Sequence, residues 1–90
     1  MKFMITWKLP PASHKSAVER FLASGAPVPP GMKTLGRWHS PGSVFGWHLV
    51  EGDDGVALAK HFAEWADLLE LQISPVLEDD EAARAFTGAE

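Results

Sequence analysis

Residues 33–50 read KTLGRWHSPGSVFGWHLV, and the reading of this stretch decides the fold. Two runs rich in Trp, Phe, Val and Leu, residues 33–39 and 44–50, flank Ser40-Pro41-Gly42-Ser43. Pro-Gly is a turn dipeptide, so the stretch is expected to be a β-hairpin. With Pro41-Gly42 as a two-residue turn centre, Trp38 is expected opposite Phe45, Gly36 opposite Trp47 and Thr34 opposite Leu49. That register gathers the aromatics on one face, with Gly36 making room for the Trp47 indole. The other face would carry Leu35 opposite His48, Arg37 opposite Gly46 and His39 opposite Val44.

On the N-terminal side, residues 2–9 alternate, with Phe3, Ile5, Trp7 and Leu9 on one face and Met4, Thr6 and Lys8 on the other. A period of two marks a strand, and Pro10-Pro11 ends it. Ser13 can cap a helix in which His14, Ala17, Val18, Phe21 and Leu22 recur at helical spacing up to Gly25. The loop APVPPG, residues 26–31, leads into the hairpin. On the C-terminal side, Asp53 or Asp54 can cap a second helix with the apolar stripe Leu58, Ala59, Phe62, Trp65, Ala66 and Leu69. Residues 70–77 alternate again, and Asp79 to Phe86 reads as a short helix capped by Asp79 or Asp80.

The order is that of a ferredoxin-like α+β sandwich, βαββαβ. It predicts a four-stranded antiparallel sheet with two helices on one face and a short C-terminal helix after it. The aromatic and aliphatic faces are expected under the helices. The semi-polar face, with Lys8, Arg37, His39, His48 and Gln72, is expected to stay open. Met4, Leu35, Val44, Val50 and Val76 would make that face too apolar for full exposure, which predicts a homodimer paired sheet to sheet.

Composition narrows the function classes. Ninety residues with 46% hydrophobic and 22% charged fit one globular domain over residues 1–90. Without cysteine there is no disulfide scaffold, no thiolate metal site and no thiol nucleophile. Residues 1–50 sum to +5 and residues 51–90 to −9, so the chain lacks the basic excess of a nucleic-acid binder. Much of this split is expected to be internal, because Lys2 and Lys8 should approach Glu78 and Glu70 on the neighbouring strand. No apolar stretch approaches the roughly 18 to 20 residues that cross a bilayer, and no secretory leader pattern is present. A cytoplasmic location without membrane contact is expected.

No catalytic motif stands out. The four histidines show no metal-ligand spacing, so neither a metal nor a cofactor is expected. His14 at a helix start is expected to point into the gap between sheet and helices, and His61 to lie toward solvent. Arg37 with His39 and His48 can bind an anionic small molecule or serve as acid–base groups. Trp7 and Trp47 can stack on an organic ligand or simply fill a core. The candidate ligand-binding set is His14, Arg37, His39, His48, Trp7 and Trp47.

Four segments carry a resemblance: MKFMITWK (1–8), ERFLASGAPVPPGMKTLGRWH (19–39), PGSVFGWHLVEGDD (41–54) and HFAEWADLLEL (61–71). From Met1 to about Glu81 the chain resembles a family of small bacterial proteins catalogued as a domain of unknown function, number 3303. That family looks like a branch of the dimeric α+β barrel superfamily. The resemblance implies paired ferredoxin-like sheets with a cavity between sheet and helices, and carries over no catalytic residue. Two functions follow as expectations. One is an uncharacterised homodimeric domain that binds a small organic ligand. The other is a cofactor-independent monooxygenase, isomerase or cyclase working in a Trp- and His-lined cavity.

Overall fold

The structure, a computed structural model, describes residues 1–88. The elements follow in the order β1 (Lys2–Lys8), α1 (His14–Ser24), β2 (Lys33–His39), β3 (Phe45–Glu51), α2 (Gly55–Trp65), β4 (Glu70–Val76) and α3 (Asp79–Thr87). The strands form one antiparallel sheet in the order β2-β3-β1-β4, which makes the chain a ferredoxin-like α+β fold. β1 sits between β3 and β4, with Ile5 opposite both His48 and Ile73. β2 and β4 form the two edges. β4 carries Pro75, which lacks the N–H that an inner strand would need. Among the described residues no helix is long and apolar enough to cross a membrane.

Local chemistry explains the helix ends. Asp54, one of the two expected caps, takes the N–H groups of Val56 and Ala57 on its Oδ1 at 3.0 and 3.1 Å and starts α2. At α3 the cap is Glu78, upstream of the expected Asp79 or Asp80. Its backbone N–H donates to Glu81 Oε1 at 3.0 Å in a reciprocal capping box. Ser13 precedes α1 without a side-chain capping bond. Lys2 pairs with Glu78, just beyond β4, at 2.9 Å, as expected. Lys8 lies opposite Glu70 in the ladder, but among the described residues the two form no ion pair, and the Lys8 ammonium stands 6.0 Å from the centre of the Phe45 ring.

The hairpin register differs from the expected one. Arg37 lies opposite His48, Trp38 opposite Trp47 and His39 opposite Gly46, a shift of two positions. The connection is longer than two residues. Ser43 N–H donates to Ser40 O at 2.7 Å, with Pro41 and Gly42 at the turn centre and Gly42 at φ 88°. The first pair beyond the loop is then Ser40 with Phe45, joined at 2.9 Å. A bulge between Thr34 and Gly36 also shifts the lower part of β2, which sets Thr34 opposite Val50.

The hairpin faces are inverted as well. Ile5 is 4% exposed beneath the helices, and its partner His48 must lie on the same side. Arg37, His39 and His48 therefore lie under the helices. Trp38, Phe45 and Trp47 look out from the open face, 53%, 50% and 44% exposed. Val50, expected on the open face, is fully buried against Ile5 and Leu58 at the centre of the core. Gly36 makes room for the Trp38 indole, not for Trp47, and Gly46 makes room for Trp7.

Candidate functional site

Where the helices bridge the sheet, the layers leave a cavity of about 240 Å³. Ile5, Trp7, Leu71 and Ile73 form its floor. Val18 and Phe21 of α1, with Phe62 and Trp65 of α2, form its walls. Apolar side chains dominate, and the polar groups Arg37, His39, His48 and His61 gather on the side of β2, β3 and α2. A concave, mostly apolar space with a few convergent polar groups is the usual form of a small-molecule site.

Each polar side chain reaches the cavity for a local reason. Arg37 and His48 are directly opposed across the β2–β3 ladder, so both project to the same face. His61 stands three residues after Leu58 and four before Trp65, all three buried, so the helical period turns it toward the sheet. Its ring meets that of His48 edge to face at 5.9 Å. His39 packs between Trp7 and Phe21, 5.2 Å from each ring centre.

The hydrogen bonds fix the polar wall. Arg37 donates from Nη1 to Gly25 O at 3.1 Å and from Nη2 to Ala26 O at 2.6 Å, which locks the guanidinium to the end of α1. Its Nη2 also stands 3.4 Å from His48 Nε2, and Thr34 Oγ1 is 2.9 Å from that same nitrogen. A guanidinium only donates, so Nε2 is the lone-pair nitrogen of a neutral imidazole, and the Thr34 hydroxyl donates to it as well. Burial, reinforced by the Arg37 charge and by His61, pushes the His48 pKa down to about 4. Burial lowers that of His61 too, with Glu64 opposing and Arg37 adding to the shift. Arg37 is itself lowered by burial.

Of the residues singled out from sequence, Trp7, Arg37, His39 and His48 converge on this cavity. His14 does not line it; its Nε2 lies 2.8 Å from Gly42 O and braces the hairpin loop against α1. Trp47 lies on the opposite face of the sheet. His61, expected toward solvent, is 8% exposed, and Phe21, Trp65 and Thr34 also belong to the site or its support. The spacing of His61 from Leu58 and Trp65 was the signal for it. Elsewhere, Glu78, Asp80 and Glu81 bring carboxylate oxygens within 4.8 Å of one another, but capping α3 and pairing with Lys2 already occupy Glu78 and Glu81.

The family model described as a domain of unknown function (DUF3303) matches residues 1–90, and the chain belongs to that family. No curated protein matches it.

Proposed function

With membership of that uncharacterised family as the premise, we propose that the chain is the protomer of a homodimer that holds a small organic ligand between its sheet and helices. The cavity of about 240 Å³ carries this reading, because its apolar walls end in one cluster of polar side chains. Apolar cavities of roughly 150 Å³ already take up benzene, so this one accommodates a ring with a short substituent. Toluene titrated into the protein is expected to shift the aromatic NMR signals of Trp7, Phe21 and Trp65. Unchanged spectra at saturating toluene would overturn the reading.

Binding is favoured over proton-transfer catalysis by the state of His48. Its lone pair already accepts from Thr34 and faces Arg37, and a pKa near 4 makes it a weak base at neutral pH.

The dimer rests on the open face. Trp38, Phe45 and Trp47 stand side by side in water there, and a second copy is the partner that a ferredoxin-like sheet of this kind takes in a dimeric α+β barrel. Four strands of seven residues offer a face of only roughly 20 by 20 Å, short of the ~800 Å² per partner that a stable dimer buries. α3 supplies the remainder. It contributes no buried residue, leaves Phe86 89% exposed, and helps draw the chain out to a radius of gyration of 14.8 Å. A compact chain of this length would have a radius of about 12 Å. Sedimentation is expected to give about twice the chain mass of 9.8 kDa, and Trp47→Lys to give monomers. Wild-type protein that sediments as single chains at every concentration would remove the dimer and leave the cavity untouched. The cysteine-free composition accords with a cytoplasmic setting.

A further inference from the structure

Resting on the reading of the cavity as a ligand site, we propose that its occupant is a small aromatic or aliphatic carboxylate whose anionic head pairs with Arg37. The case begins with an uncompensated charge. Arg37 is half-buried at the cavity wall, and among the described residues no carboxylate stands within ion-pair distance of it. Its held partners are two backbone carbonyls, a neutral imidazole and the face of Phe21 at 5.9 Å, none of them anionic, so the wall keeps a net positive charge. A cation in an apolar enclosure is costly unless it is paired, and a carboxylate matches the planar guanidinium fork.

Two further observations point the same way. Ala26, which receives the 2.6 Å bond from Arg37, holds φ at 45°, a left-handed conformation that costs a residue with a Cβ. Together with the bond to Gly25 O, this contact fixes the plane of the guanidinium before any ligand arrives. Beside it, His61 lines the cavity nine-tenths buried, and its Nδ1 has no hydrogen-bond partner. An orphaned buried nitrogen is an open position for a ligand hydroxyl or acid group. The apolar body of the ligand would lie against Trp7, Phe21 and Trp65.

Phenylacetate and phenylacetamide have the same shape and differ in charge, which makes them the test pair. In the wild-type protein phenylacetate is expected to bind at least about tenfold more tightly, read by calorimetry. Arg37→Met is expected to shrink the ratio to within about twofold. Equal affinity of the two compounds in the wild type overturns the anion proposal, and with toluene still bound the cavity reading stands. A preference that persists in Arg37→Met also overturns it, because the anion would then be held elsewhere. If toluene, acid and amide all fail to bind, the cavity reading falls and takes this proposal with it. Should Arg37→Met fail to fold, the wild-type pair of compounds decides alone.

Discussion

Replacing Gly46 with alanine is expected to cost the protein about 3 kcal/mol, as large a loss as a single added methyl group ordinarily produces. Gly46 lies in the middle of the sheet, buried, and directly opposite Trp7. A Cβ built there collides with the six-membered ring of the Trp7 indole at Cζ2 and its two ring neighbours. Moving a flexible side-chain end would relieve such a clash cheaply. Here the obstacle is a rigid bicycle that also packs edge to face on His39 and forms part of the cavity floor. The indole must leave its rotamer, and the floor of the cavity goes with it. Urea denaturation followed by Trp fluorescence reads the effect. Combining Gly46→Ala with Trp7→Leu should cost less than the two single changes added together, because the smaller side chain removes the collision. An alanine variant as stable as the wild type would show that the indole does not rest on this glycine.

The second large effect is on pH. Between pH 7 and pH 4 the folded protein is expected to lose about 3 kcal/mol through His48 alone. In the unfolded chain His48 takes up its proton near the ordinary value of 6.5, whereas in the folded chain it stays neutral down to about 4. Across that window the unfolded state binds more protons, so acid favours unfolding. The contribution is fully present above pH 6.5 and is exhausted below pH 4. His61 is shifted in the same direction and adds to the slope. Asp67, held below the usual carboxylate range by its hydrogen bonds to Arg20, acts only at the acid end, so the two effects separate along the pH axis. His48→Gln keeps a polar partner for Thr34 and removes the titration. Its denaturation midpoint should therefore vary much less between pH 7 and 4.5. A variant as steep as the wild type would overturn the assignment to His48.

The sequence made the elements legible and half of the site. Period-two alternation located β1 and β4, and helical spacing located α1 and α2, because each of these buries one side against the core. The family resemblance read from sequence agrees with the family assignment over residues 1–90. The orientation of the hairpin is not legible in its own hydropathy, because the side of a strand that faces the core depends on its neighbour. Trp38, Phe45 and Trp47 look like core residues, yet Ile5 fixes His48 beneath the helices and sends the aromatics outward. The loop length and the bulge at Leu35 are backbone choices that residue type signals only weakly. His61 shows the same difficulty in a helix. It falls at the border between the apolar stripe and the polar face, where its polarity argues for solvent, and only the facing Arg37 and His48 give a polar side chain reason to be inside.

Both edges of the sheet are interrupted: β2 by its bulge, β4 by Pro75. Exposed edges are where a β-protein recruits further strands, and a break in the ladder or a missing donor frustrates that recruitment. This chain therefore has little means of growing sideways into an open-ended ribbon or fibril. Trp38, Phe45 and Trp47 lie on the flat of the sheet, where the proposed two-fold partner would cover them and assembly would stop. In the proposed dimer the stickiness of these three aromatics would be directed into a closed pair, away from the two interrupted edges.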